Sequence, residues 1–268
     1  MVDDTESIDK AVRFHGEALL ALEEGRLDRA RELATQALEL FERESGPLHP
    51  DVANVLNCLA TVHTQQADYR EAEACSRRSV EIMREVRTQA DGPDLDRLYV
   101  QSLTGFGNTV RTLGRYADAE PVLKEAATVA ETALGEGDED FVSALNALGM
   151  LYKYSGRFDE AAALYDRAIR LAERINGPDH ISLASLLHNL GGLEHARGEY
   201  AKGEPPARRS VELRERALGA DHPSVAADVA ALAAIVDGQG RHDEASDIHS
   251  TVLMRRVSGL NIFMQSGG

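Results

Sequence analysis

The chain has 268 residues, of which 29 are basic and 45 are acidic, so its net charge is −16. Such a field repels the phosphate backbone of nucleic acids and anionic lipid surfaces, and no apolar run reaches the ~18 residues that span a membrane. The acidic start of the chain does not resemble a secretory signal, and the two cysteines match no zinc or redox spacing. We therefore expect a cytoplasmic protein that binds neither nucleic acid nor membranes.

A short phrase recurs along the chain and predicts an internal repeat. It reads GRLDRAR, ADYREAE, GRYADAE, GRFDEAA, GEYAKGE and GRHDEAS, beginning at residues 25, 67, 114, 156, 198 and 240. The copies are therefore 42 residues apart, except for one step of 47. A fixed period of this length is typical of solenoid arrays. We expect one array over residues 1–257 with six repeats, at approximately 7–48, 49–94, 95–138, 139–180, 181–222 and 223–257.

Each repeat is predicted to be a pair of helices. In the fourth repeat, apolar residues recur at helical spacing over 141–154, Gly156 interrupts the pattern, and a second helical pattern follows. The turn position is glycine in five repeats and Ala67 in the second, and glycine there adopts a left-handed conformation without strain. Small residues recur on both helices and allow close backbone approach. They are Ala18, Ala60, Gly107, Gly149, Gly191 and Ala233 on the first helix, and Ala30, Ala72, Ala119, Ala161, Gly203 and Ala245 on the second.

The single longer step places five extra residues near 86–96. Four of them, before Gly92, would lengthen the preceding helix by about one turn and keep its buried face in register. We expect a protruding joint at about 87–95.

The repeat resembles the tetratricopeptide repeat family. The turn glycine, the small-residue columns and the spacing of Ala161, Tyr165 and Ala168 carry this resemblance, and the segments LGADHPSVA and GPLHPDVA are similar to the kinesin-light-chain type. The resemblance covers residues 7–257. It implies an all-α solenoid, a right-handed superhelix whose first helices line a concave groove, and a non-enzymatic adaptor or scaffold. A ligand- or peptide-sensing regulatory module is the alternative.

An Asp–His–Pro stretch near the end of the chain first suggests a catalytic pair. His49, His180 and His222 nevertheless occupy one position of the repeat, and the third repeat has Asp138 there. The residue before proline is pushed out of helical geometry, and proline suits the first helical turn. The motif is therefore interpreted as a helix start between repeats.

The candidate binding residues lie on the predicted first helices, where the middle of the groove has two bases, Arg111 and Lys153, and no acid. By the resemblance, Asn57 and Asn146 match asparagines that bind peptide backbone in kinesin-light-chain-like repeats. Thr104 and His188 interrupt this ladder. We expect an extended peptide or partner segment with acidic or C-terminal carboxylate groups, although a polar face without a ligand stays open. The candidates are Asn54, Asn57, Gln101, Asn108, Arg111, Asn146, Lys153, Tyr154, His188, Asn189 and His195.

No pattern predicts catalysis, a metal or a cofactor. His188 and His195 share a helix face, but a zinc site needs further ligands, and none is evident. Nucleophile-elbow, phosphate-loop and HExxH motifs are absent from the sequence.

The tail at 258–268 is apolar and is expected to cap the last repeat. It could instead occupy a groove of the same or another copy, or mark the edge of a longer array. We expect a monomer, or a weak homodimer through terminal repeats or the tail.

Overall fold

The structure is a computed structural model that describes residues 4–250, so the predicted tail lies outside the described residues. Within them, helices follow one another without strands, and a final helical stretch occupies residues 242–250. A five-residue π-helical turn, Ala130–Leu134, extends the sixth helix. The helices are α1 (Asp4–Glu23), α2 (Leu27–Glu44), α3 (Pro50–Gln65), α4 (Tyr69–Gln89), α5 (Pro93–Thr112), α6 (Tyr116–Val129), α7 (Glu139–Tyr154), α8 (Phe158–Asn176), α9 (Ser182–Ala196), α10 (Tyr200–Leu218) and α11 (Pro223–Gly238).

The chain forms two compact units, an N-terminal unit, Met1–Leu151, and a C-terminal unit, Tyr152–Gly268. In the N-terminal unit, α1 packs on α2, α3 on α4 and α5 on α6, while α3 also contacts α2 and α5. In the C-terminal unit, α9 packs on α8 and α10, and α11 packs on both α9 and α10. Within each unit, neighbouring helices thus stack along the chain, and the predicted all-α solenoid is confirmed.

The turn inside each helix pair has the left-handed conformation that the glycine column predicts. The φ angles are 71° at Gly25, 76° at Gly114, 74° at Gly156 and 78° at Gly240. Ala67 occupies the same position in the second pair with a φ of 61°, and it is the one non-glycine residue with positive φ within residues 4–250. The fold therefore imposes this turn even where the sequence does not provide glycine.

Small residues bring the helices of a pair into close contact, as the sequence predicts. A Cβ atom added to Gly107 would lie 2.4 Å from the side chain of Leu123, which is fully buried. In the C-terminal unit, a Cβ on Gly203 would lie 3.0 Å from the carbonyl oxygen of Gly191. The backbones of α9 and α10 therefore meet without intervening side chains.

The five extra residues lengthen two helices rather than one. The α4 helix has 21 residues against 18 in α2, and α5 has 20 residues against 16 in α3. Only residues 90–92 separate α4 from α5. Arg87 ties the two extensions together, because its guanidinium group lies 2.7 Å from Asp96 and 4.6 Å from the ring centre of Tyr99.

One carboxylate clamp occurs at the same repeat position in both units. Glu204 accepts hydrogen bonds from Arg208 at 2.7 Å, Arg241 at 2.6 Å and Gln239 at 2.7 Å. Burial opposes ionisation of Glu204, but these three donors outweigh it and lower its pKa to about 2. The clamp therefore joins α10 to the end of α11 and to the segment that follows it.

The N-terminal unit has the corresponding carboxylate, Glu73, which contacts Arg77 and lies 2.8 Å from Arg115. Burial again opposes ionisation, and the two arginines again lower the pKa of the carboxyl group. The second and fifth repeats thus share an electrostatic link at the same position.

Replacing Ala67 with glycine should stabilise the protein. A non-glycine residue in the left-handed region costs ~1–2 kcal/mol, part of which the greater chain entropy of glycine offsets, so we expect a gain of about 0.5–1 kcal/mol in the free energy of unfolding. The matched change Gly156→Ala should lower that free energy by about 0.5–1 kcal/mol, because the same strain and entropy differences apply in reverse. Chemical denaturation of both variants measures the effects, and the same sign for both would contradict the assignment.

Glu204 should contribute stability that depends on pH. Its pKa is lower in the folded than in the unfolded chain, so the contribution is present above about pH 4.5 and is lost as the pH falls toward about 2. Glu204→Gln should therefore be less stable than the parent near neutral pH, and the two should converge in acid. Denaturant titrations at several pH values test this, with Glu199→Gln controlling for the lost charge. A constant gap between parent and Glu204→Gln would contradict it.

Candidate functional site

The histidines between repeats are helix N-caps. His49 Nδ1 accepts a hydrogen bond from the backbone N–H of Asp51 at 3.3 Å, and His222 Nδ1 accepts one from Ser224 at 3.2 Å. The following prolines stand at the first helical positions. The prediction of helix-starting corners is confirmed, with the addition that the imidazole itself is the capping group.

The two exceptions to this motif follow the same rule. His180 Nδ1 accepts from the backbone N–H of Ser182 at 3.3 Å, although no proline follows it. Asp138 Oδ1 accepts from the backbone N–H of Asp140 at 2.8 Å. Aspartate and histidine are thus interchangeable here because both place an acceptor two residues before the same backbone donor.

The N-terminal unit contains a cavity of about 480 Å³ between α3, α4 and α5. Among the described residues that line it, one side chain carries a charge, that of Arg111, and none is acidic. The other lining groups are amides, hydroxyls and small apolar groups. The lining residues are Asn57, Ala60, Thr61, Thr64, Ser76, Gln101, Gly105, Asn108, Thr109, Arg111, Thr112 and Met150.

Four of the predicted binding residues meet at this cavity: Asn57, Gln101, Asn108 and Arg111. The other two candidates of the unit do not line it. Asn54 is exposed on α3, and Asn146 is half-buried on α7. Two further lining residues were not among the candidates predicted from the sequence: Ser76 on α4 and Thr109 on the buried side of α5.

An acidic residue, Asp140, contacts one of the predicted binding residues, although the sequence pattern places no acid in the middle of the groove. The amide nitrogen of Gln101 donates to both oxygens of Asp140, at 3.2 and 3.3 Å. Asp140 also pairs with Arg97 at 3.2 Å. Burial nevertheless raises the pKa of Asp140. Gln101 is therefore held by a neighbouring helix, and the negative charge beside it is balanced by Arg97.

Several oxygen atoms around the cavity have no hydrogen-bond partner within residues 4–250. They are Asn57 Oδ1 and Asn108 Oδ1 of the lining, and Thr104 Oγ1, whose residue is not part of the lining. Each atom is shielded from solvent, and its residue is half-buried. A buried acceptor without a donor costs ~1–3 kcal/mol. A ligand that supplied N–H or O–H groups after small side-chain rotations would recover part of that free energy.

Two of the predicted residues of the C-terminal unit are neighbours at its start. Lys153 Nζ lies over Gly192, where an added Cβ would come within 2.7 Å of it, and 5.8 Å from the ring centre of Tyr154. Burial lowers the pKa of Lys153. Tyr154 is 54% exposed. The glycine at 192 thus makes room for the ammonium group against α9.

His195 and Asn189 complete the predicted set on α9. The His195 ring is exposed and packs edge-on against Tyr200, with ring centres 5.3 Å apart. Asn189 is half-buried. His195 is thereby positioned by an aromatic contact with the next helix.

His188 belongs to a buried polar network that sequence reasoning missed. Its Nδ1 lies 2.8 Å from Oδ1 of Asp228, a carboxylate only 1% exposed on α11. Arg214 pairs with Asp228 at 3.2 Å and donates to Ser185 at 3.1 Å. Ser210 Oγ lies 2.6 Å from Asp228 Oδ2. The negative charge is thus balanced by one guanidinium group and held by groups from α9 and α10.

The N-terminal unit has an uncharged version of this network at the same repeat positions. Asn57 replaces His188, and its Nδ2 donates to Ser102 Oγ at 3.0 Å. Ser102 replaces Asp228, and its Oγ lies 2.8 Å from that of Ser79, which replaces Ser210. The serine hydroxyls also donate to backbone carbonyls at matching repeat positions: Ser79 donates to Ala53, and Ser210 donates to Ala184.

A sequence signal for this network was present. Ser102 and Asp228 stand where the second, fourth and fifth repeats have the apolar residues Val55, Ala144 and Leu186. Ser79 and Ser210 stand where the first, third and fourth repeats have alanine. A polar residue at an otherwise buried apolar position needs a partner, so aligning the repeats would have paired these positions.

The cluster does not have the geometry of a nucleophilic triad. Ser210 is fully buried and hydrogen bonds to Asp228 rather than to His188. Within residues 4–250, no group of three or more His, Cys, Asp or Glu side chains could hold a metal ion. Cys58 is buried and Cys75 half-buried, both free, and burial raises the pKa of each thiol to about 11.

Comparison with known proteins identifies the class. A tetratricopeptide repeat model matches residues 14–85, 140–202 and 182–253, and a second such model matches residues 100–140. The chain therefore belongs to the tetratricopeptide repeat family, whose stacked helix pairs form binding surfaces for proteins. Comparison with curated proteins gives no significant match. No helix within residues 4–250 combines the length and apolar character needed to cross a bilayer.

Solved structures support the kinesin-light-chain-like type of repeat. BtubC (BKLC) from P. vanneervenii is 18% identical, with a TM-score of 0.66, covering 96% of this chain and 92% of its own. A Podosopora anserina kinesin-light-chain protein of nearly identical TPR-like repeats is 19% identical, with a TM-score of 0.64 and coverages of 80% and 98%. A Rap protein complexed with competence and sporulation factor is 14% identical, with a TM-score of 0.58 and coverages of 93% and 75%.

The cap function of the joint histidines gives a direct test. His222→Ala removes the acceptor for the Ser224 N–H and should lower the free energy of unfolding by about 0.5–2 kcal/mol. His222→Asp should retain most of the stability, because Asp138 caps the corresponding helix. Thermal unfolding of both variants measures the difference, and equal losses would show that the imidazole does not act as a cap.

Proposed function

We propose that this protein is a non-enzymatic interaction scaffold whose first helices bind an extended segment of a partner protein. In the N-terminal unit the binding region is the cavity between α3, α4 and α5. In the C-terminal unit it is the face of α9 that carries His188 and His195. The cavity supports the proposal most strongly, because four residues selected from the sequence and its family resemblance line it together.

The chemistry of the cavity favours a polypeptide over an apolar ligand. Amide and hydroxyl side chains donate and accept hydrogen bonds, as the backbone of an extended peptide also does. Within residues 4–250, the side-chain oxygens of Asn57 and Asn108 have no protein donor, so a ligand with N–H groups fits them. No acid is among the described lining residues, so in a chain of net charge −16 the lining itself does not repel an acidic segment.

Arg111 supports the assignment of an acidic or C-terminal carboxylate in this segment. It is the charged side chain of the cavity lining, and a guanidinium group binds carboxylates with two parallel hydrogen bonds. Lys153 would make an equivalent contact in the C-terminal unit. Its lowered pKa indicates a partly desolvated ammonium, for which a carboxylate is a favourable partner.

A peptide-sensing regulatory module is the second candidate function. It is favoured by the similarity to a Rap protein that was crystallised with competence and sporulation factor. The two functions differ in whether binding changes the protein. Small-angle scattering with and without a bound peptide distinguishes them, since a sensor changes its dimensions on binding and a passive scaffold does not.

The experiment uses a displayed library of random peptides with free C-termini, selected on the full chain. Enriched peptides are then measured by calorimetry against the parent, Arg111→Gln and Arg70→Gln. Arg70 is exposed on α4 and provides the same charge change away from the cavity. Arg111→Gln should weaken binding by about tenfold or more, because a charged hydrogen bond contributes ~1.5–3 kcal/mol.

Melting curves first confirm that both variants are folded. Amidating the C-terminus of a selected peptide tests the carboxylate separately. Enriched peptides that bind Arg111→Gln as tightly as the parent would overturn the assignment of the cavity, and a library that yields no binding peptide would count against peptide recognition.

A further inference from the structure

The buried carboxylate of Asp228 is not needed for the stability of the fold. The equivalent position is apolar in three other repeats, at Val55, Ala144 and Leu186, so the fold accepts an apolar residue there. Replacing a buried ion pair with apolar groups is often neutral or stabilising. A carboxylate at this position therefore needs another explanation, and its contact with a predicted binding residue supplies one.

The carboxylate decides which nitrogen of His188 carries the proton. Asp228 Oδ1 accepts from Arg214 and lies 2.8 Å from His188 Nδ1. A hydrogen bond from a neutral imidazole to a carboxylate requires the proton on Nδ1, which leaves Nε2 with a lone pair. Because the carboxylate is 1% exposed and the imidazole is 36% exposed, the far side of the ring is the side available to a ligand.

We propose that Asp228 is a positioning residue that holds His188 as the Nδ1–H tautomer, so that Nε2 accepts an N–H group of the bound segment. The inference rests on the proposed function and names the chemistry of one contact in the C-terminal unit: the partner donates and His188 accepts.

The N-terminal unit supports this assignment through the same repeat position. Asn57 Nδ2 donates to Ser102, and this hydrogen bond orients the amide so that Oδ1 is the atom left to accept a hydrogen bond from a ligand. Asn57 Oδ1 has no partner within the described residues. In both units, a buried polar side chain on the first helix of the following repeat, Ser102 or Asp228, thus contacts the donor nitrogen of Asn57 or His188. The other polar atom of that side chain then remains as an acceptor.

Nitrogen-15 NMR of the full chain, labelled at histidine, tests the positioning without any ligand. Long-range proton–nitrogen spectra in mildly alkaline buffer distinguish Nδ1–H from Nε2–H rings, and His188→Gln identifies the His188 signals. In the parent, His188 should be mainly the Nδ1–H form. Asp228→Leu, which introduces the residue native at position 186, should convert it mainly to the Nε2–H form that free histidine favours.

Ser210→Ala is the matched control. It removes another partner of Asp228, and alanine is native at this position in the first, third and fourth repeats. His188 should keep the Nδ1–H form in this variant. A parent protein in which His188 is mainly Nε2–H overturns the proposal even if Asp228→Leu does not fold, and an unchanged tautomer in folded Asp228→Leu also overturns it.

Peptides from the library selection extend the test to binding. For a peptide that contacts α9, Asp228→Leu should weaken affinity by about two- to tenfold relative to Ser210→Ala, since one neutral hydrogen bond contributes ~0.5–1.5 kcal/mol. Equal affinities would refute the role of Nε2 in binding. The tautomer result does not depend on any peptide, so failure of the proposed function and failure of the positioning role are separate outcomes.

Discussion

Close backbone contact between the two helices of each repeat is the constraint on which the rest of the structure depends. A helix pair of this length cannot bury its apolar face alone, so it is stable only when stacked on its neighbours. Stacking at short distance requires glycine or alanine at the contact, as Gly191 and Gly203 show. It also requires a reversal of the chain in a left-handed turn, which Ala67 adopts despite its side chain. With both conditions met, the remaining surface of the first helices is free to vary.

Two kinds of polar group enter this packing with partners of matching chemistry, the carboxylate clamps and the networks that contact Asn57 and His188. The clamp at Glu73 uses two arginines, and the clamp at Glu204 uses two arginines and a glutamine. The network below Asn57 contains hydroxyl groups, whereas the one below His188 contains a buried carboxylate with Arg214. Since an unpaired buried charge is costly, the carboxylate and the guanidinium have to occur together. The C-terminal unit thus repeats the design of the N-terminal unit with a charged set of residues.

Much of this structure could be predicted from the printed sequence, because the repeat presents each position several times. The turn residues, the small-residue columns and the helix starts at His49 and His222 all follow from comparison among repeats. The single insertion was harder to predict. Four of the five extra residues between Val86 and Asp96 were expected to extend the helix before Gly92, but both α4 and α5 are longer. The residues that hold Gln101 and His188 lie far away in sequence, and no local pattern indicates that Asp140 or Asp228 would reach them. Contacts between repeats depend on side-chain direction, which periodicity does not specify.

The two networks indicate how an array of similar repeats acquires different binding chemistry at each position. The first-helix residue proposed to contact a ligand is Asn57 in one repeat and His188 in another, and either side chain can donate or accept. A residue buried in the next repeat removes this ambiguity, because Ser102 takes the donor of Asn57 and Asp228 takes that of His188. The hydrogen-bonding character of one repeat is therefore set by its neighbour. A change at the buried position would alter recognition without touching the ligand, and the order of repeats along the chain then matters as much as their individual sequences.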